Sequence, residues 1–145
     1  PLESQLVSML VTTFAVGEVV ALELIRHTLS VVPDSPFREL LKLIARDEVV
    51  HARIGSFTLA QIRNQEAPRW IKWPGDEVVR GVLVRSKAAM RQRDVIDAQE
   101  AAAFADPELA KGLLACAIPP SQGFYDLHMH ALDGAVDRGL AFLTC

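Results

Sequence analysis

Apolar and polar positions along the chain follow a helical period almost throughout. From Gln5 to Val32 the sequence QLVSMLVTTFAVGEVVALELIRHTLSVV is apolar with few interruptions, and it predicts a helix from about Glu3 to Val31. The turn Val32-Pro33-Asp34-Ser35-Pro36 stops it, because proline has no N–H to donate and its ring blocks continuation. Ser35 is placed to cap the next helix, with Pro36 at its first position, and that helix runs to about Arg63. So short a link predicts an antiparallel helix hairpin.

The pattern changes at Ala67 to Gly75 (APRWIKWPG), where two prolines and both tryptophans interrupt the period. A boundary falls there, dividing residues 1–66, the hairpin, from residues 67–145, a C-terminal helical extension. The extension reads as three helices. One runs from about Asp76, its expected cap, to Phe104. A shorter one opens at Asp106-Pro107-Glu108 and ends at Pro119-Pro120, and a last one is capped by Ser121 and runs through about Phe142. No alternating β-branched run persists, so the fold class is all-α. Trp70 and Trp73 are expected to staple the extension to the hairpin.

Composition narrows the function classes. In 145 residues, 50% are hydrophobic and 23% charged, enough apolar material for a real core and too much for disorder. A net charge of −3 supplies no field for a nucleic-acid backbone. The basic run Arg80, Arg85, Lys87, Arg91 and Arg93 is interleaved with Asp94, Asp97 and Glu100, and reads as a solvated or intersubunit face. Cys116 and Cys145 are too few for a disulfide framework and lack ligand spacing, so a reduced, cytoplasmic setting is expected, with Cys116 in a core. The first apolar segment has the length of a membrane helix, yet Glu18, Glu23, Arg26 and His27 interrupt it, which argues for a protein interior. The chain opens at Pro1 directly in that segment, so an upstream portion is expected.

Two carboxylates occupy positions where an amphipathic helix would carry leucines. Glu18 has Phe14, Ala15, Ala21 and Leu22 at helical spacing, with Val11 and Ile25 a turn further out. Glu23 sits beside Arg26 and His27, where a local ion pair accounts for it; His27 suits a helix C-terminus. On the second helix the stripe Leu40, Leu41, Ile44, Glu48, His51, Gly55 is opposed by Arg38, Lys42, Arg46 and Arg53. Glu48 and His51 form Glu-x-x-His, which places a carboxylate and an imidazole one turn apart on one face. Folding the hairpin about residues 32–36 brings Glu18 level with Glu48. An unpaired carboxylate in a core is costly, and a shared cation would resolve it.

VGEVVALELIR followed by LKLIARDEVVHARIGSF resembles the second helix pair of a ferritin-like di-iron carboxylate protein, over about residues 5–62. The resemblance implies a ferritin-like helical bundle with Glu18, Glu48 and His51 as metal ligands. It also implies iron as cofactor, two ions per complete site, or manganese in its place, reacting with O2 or peroxide to oxidise Fe(II) or a small organic substrate. Such a site takes about four carboxylates and two histidines. This chain supplies half of that: no second Glu-x-x-His follows, and Glu100 is the best spare carboxylate. Completion is therefore expected from an upstream helix pair or from a second copy in a homodimer.

Other readings weigh against these. Glu18 or Glu48 could form a buried ion pair with Arg46 or Arg53, making the chain a metal-free helical scaffold or oligomerisation protein. Asp47 is expected to pair with Arg46 or a neighbouring chain. Asp126, His128 and His130 are spaced by two, which turns them to different sides of a helix, so packing or surface roles are expected.

Overall fold

A computed structural model describes residues 2–93, 105–118 and 121–144. Every regular element in it is helical. In chain order these are α1 (Leu2–Met9), a π-helical segment π1 (Leu10–Gly17), α2 (Glu18–Val31), α3 (Pro36–Arg63), α4 (Asp76–Arg93), α5 (Pro107–Ala115) and α6 (Ser121–Phe142). The expected first helix is present as α1, π1 and α2 joined end to end. The C-terminal end of the expected third helix, including Asp94, Asp97 and Glu100, lies outside the described residues, as do Pro119, Pro120 and Cys145.

The hairpin forms as the turn chemistry requires. Ser35 is extended and its hydroxyl accepts from the Arg38 N–H at 3.2 Å, with Pro36 opening α3. The buried positions of the first rod are spaced unevenly: Val7, Val11, Val16, Val20. The five-residue step from Val11 to Val16 falls inside π1, where hydrogen bonds run to the fifth residue back. Thus Val16, rather than Ala15, continues the inward stripe. The segment is dense in β-branched residues (Val11, Thr12, Thr13, Val16) and closes on Gly17, a composition that weakens an ordinary α-turn.

One hydrophobic core joins the elements, with Val7, Val11, Val16 and Val20 packed among Leu59 and Ile62 of α3, Val79 and Leu83 of α4, and Leu132 and Val136 of α6. The Thr12 and Ser86 hydroxyls hydrogen-bond at 3.0 Å and tie π1 to α4. Lys87 and Arg91 of α4 both reach Asp133 of α6, at 2.7 and 3.0 Å, so part of the basic run is a clamp between two helices. The Asp133 carboxyl is held below its usual range, first by the hydrogen bond from Lys87. Glu3–Val31 is long and apolar enough to cross a membrane by length and composition; here its core side is enclosed by α3, α4 and α6.

Several local expectations change. Asp76 is the first helical residue of α4 rather than its cap, because its carboxylate accepts from Trp73 Nε1 at 2.7 Å and from Arg63 at 3.3 Å. The Trp73 ring meets Phe142 edge-on, 6.3 Å between centroids, and joins the extension to the core, whereas Trp70 is exposed. Asp106 caps α5 through the N–H groups of Glu108 and Leu109, but the helix stops at Ala115, with Ala117 at φ +64°. Cys116 is exposed, not in a core, because it lies at that helix end.

Candidate metal centre

Glu18 opens α2 directly after π1, and its N–H is bound to the Thr13 carbonyl five residues back. The side chain points to α3, where Glu48 and His51 meet it. One ligand atom from each of the three lies within 4.8 Å of the others. His51 Nδ1 is 3.3 Å from Glu48 Oε2, which leaves Nε2 as the second nitrogen available to a ligand. Among the described residues, this is the group that brings three metal-type side chains together.

The approach of the two helices is set one turn beyond His51. Gly55 is buried, and a Cβ there would run into the Cβ and backbone of Phe14. With only hydrogen at that position, α3 closes on π1, and the Phe14 ring edge comes to rest on the His51 imidazole, 6.4 Å between centroids at 82°. A small apolar cavity of about 120 Å³ lies beside this contact, with Ala15, Val19, Ser56 and Leu59 among its walls.

Electrostatically the centre is dominated by its two carboxylates. The Glu18 carboxyl is pushed up to about 7 from the usual 4.5, first by its hydrogen bond with Glu48, then by burial and by the Glu48 charge, with His51 opposing. The protonated form of Glu18 is thereby favoured toward neutral pH. The arginine partners that a metal-free scaffold would require are absent: among the described residues no Arg or Lys forms an ion pair with Glu18 or Glu48, Arg46 and Arg53 included. Glu23 does take its local partner, Arg26, at 3.0 Å. Asp47 is exposed and makes no ion pair among the described residues.

The stripe read along α3 divides. Leu41, Glu48 and Gly55 turn toward the first rod, while Leu40 and Ile44 are exposed and the His51 side chain is 46% accessible. The centre is therefore open on one side. Asp126 and His130 are exposed and His128 is half-buried on α6, and none of the three belongs to this group. Two features escaped sequence reasoning: π1, whose only trace is the run of β-branched residues before Gly17, and the outward face of α3, whose apolar residues merge with the inward stripe. Comparison with protein-family models, with curated proteins and with solved structures returns no match.

Proposed function

We propose that the chain is a metal-binding helical protein of the non-haem dimetal carboxylate class, in a ferritin-like bundle, with Glu18, Glu48 and His51 as its half of the site. The observation that carries this is the convergence of two carboxylates and an imidazole in a half-buried setting, where no arginine or lysine among the described residues pairs with the carboxylates. Oxygen and nitrogen ligands of this kind suit iron or manganese. A metal held there would relay electrons from Fe(II) or a small organic substrate, which is oxidised, to O2 or peroxide, which is reduced. Glu48, the less exposed partner of His51, is oriented to hold a metal against Glu18. His51 offers a ring nitrogen whose orientation is set by Glu48 and by the Phe14 ring. The Phe14 ring covers one side of the His51 imidazole. The proposed compartment is the cytoplasm, where Fe(II) and reduced cysteines coexist.

Metal analysis tests this directly. Anaerobic addition of Fe(II) or Mn(II) should load the protein, and Glu48→Ala should abolish loading while helicity is retained. Occupancy below about 0.1 ion per chain after such addition would overturn the reading. So would a Glu48→Ala variant that binds as much metal as the parent.

A further inference from the structure

One face of α3 is left over by the fold. The helix buries Gly55, Leu59 and Ile62 against the first rod, and a second set of large apolar residues points away from it. Leu40, Leu43, Val50, Ile54 and Phe57 are 53%, 59%, 52%, 47% and 67% exposed. With Asp47 they stand at positions 40, 43, 47, 50, 54 and 57, steps of three and four in strict alternation. That is the seam of a coiled coil, repeated over more than two heptads on a helix of 28 residues. A solvated helix face has no reason to keep this period, and several hundred Å² of contiguous apolar surface marks an interaction site.

We propose that this seam pairs with the same seam of a second copy, the two α3 helices running antiparallel about a two-fold axis near Val50. Self-complementarity selects the occupant and the direction. In that register Leu43 faces Phe57 of the second copy, the two most exposed seam residues filling one layer, and Val50 meets its own mate at the axis. Asp47 falls in a layer with Ile54 and beside Arg53 of the second copy, so an acidic group that makes no ion pair among the described residues acquires a partner. A parallel pairing would stack Asp47 on Asp47. An isologous contact of this kind closes at two chains and exposes no further seam.

The pairing stands on the seam, and only its consequence for the metal rests on the function proposed above. His51 directly follows the axis residue and flanks the seam, so the antiparallel register sets the His51 edges of the two open half-sites at one level on the same side of the interface. A second copy thereby brings a second set of Glu18, Glu48 and His51 to the site's open side.

The test is the mass in solution of the whole chain, by sedimentation equilibrium, with metal content measured on the same samples. The parent should run at twice the 15.9 kDa chain mass at micromolar concentration. Phe57→Glu should raise the dissociation constant at least tenfold with unchanged far-ultraviolet circular dichroism, since the residue is exposed in the single chain. Asp47→Arg should weaken the dimer and Asp47→Arg with Arg53→Asp should restore it. In a background of Cys116→Ala and Cys145→Ala, Val50→Cys should oxidise to a disulfide dimer, and Leu41→Cys, which faces the first rod, should not. A monomer at all concentrations overturns the pairing, as does a dimer indifferent to Phe57→Glu. A seam-dependent dimer that takes up no metal leaves the pairing standing and overturns the metal function instead.

Discussion

Gly55 of α3 and Phe14 of π1 approach so closely that there is no room for a methyl group between them. The same contact sets the separation of Glu18 from Glu48, since these carboxylates lie on the two helices that Gly55 allows to close. Gly55→Ala should therefore act in two ways despite its favourable helix propensity. Overlap with the Phe14 backbone should cost about 2 kcal/mol of stability, seen as a lower denaturation midpoint. Prising the helices apart should also weaken metal uptake at least tenfold. Gly112→Ala, at a position with open space around it, is the control and should be neutral or slightly stabilising. A Gly55→Ala protein of unchanged midpoint and metal affinity would show that the helix contact does not govern the site.

The raised Glu18 carboxyl gives the site a pH dependence whose sign is fixed. Glu18 titrates near 7 in the folded chain and near 4.5 when unfolded. Between those values the folded chain holds a proton that the unfolded chain has released, so this group's contribution to stability is full below pH 4.5 and is lost as pH rises through 7. In metal-stripped protein Glu18→Gln should remove that loss, and at pH 8 it should be more stable than the parent by about 1 kcal/mol. At pH 4 the two should be alike. Metal must displace the same proton, so affinity should climb through pH 7 with proton release on binding. Parallel urea titrations at pH 4 and pH 8 check the first claim. A parent whose stability rises over that interval by the amount expected for the variant would contradict it.

The boundaries of α3 and the convergence of Glu18 on Glu48 were legible because they depend on local signals. Ser35-Pro36 sets one end of the helix, and the four-residue link at 32–35 fixes the register of a hairpin. What was not legible depends on partners distant in sequence. The inward step from Val11 to Val16 is decided by how π1 packs against α4 and α6, and a 3.6-residue period gives no hint of it. Likewise Leu40 and Leu41 are adjacent leucines, and which of them faces the first rod depends on the crossing of two helices. Cys116 looked like a core residue among leucines and alanines, but α5 ends there and exposes it.

Arg63 closes the structure far from the metal centre. Its guanidinium donates to the carbonyls of Phe142 and Leu143, reaches Asp76 Oδ2 at 3.3 Å and lies 5.1 Å over the Phe142 ring. These carbonyls lie at and just past the C-terminal end of α6, where no further helical turn supplies N–H donors. Arg63→Ala should thus cost about 2 kcal/mol and loosen the C-terminus, readable as faster amide exchange after Leu140. Lysine cannot form the same planar fork, so Arg63→Lys should recover less than half of the loss. Because the contact does not touch Glu18, Glu48 or His51, metal affinity of the folded variant should be unchanged.

The π segment invites an experiment that separates spacing from chemistry. Removing exposed Thr13 would shorten the step between the valines at 11 and 16 from five residues to four, giving the inward stripe an uninterrupted α-helical period. Hydrogen bonds to the fourth residue back would replace the wider ones, and the carboxylate now at position 18 would keep its place beside Glu48 only if the rod stayed in phase. If π1 serves only to absorb an extra residue, the deletion should raise the melting temperature by about 5 °C with metal loading intact. If instead the wide turn is what delivers Glu18 to Glu48, stability should rise while loading falls at least tenfold. Loss of stability on deletion would contradict both, because it would mean that the π geometry is the preferred packing of this rod against α4 and α6.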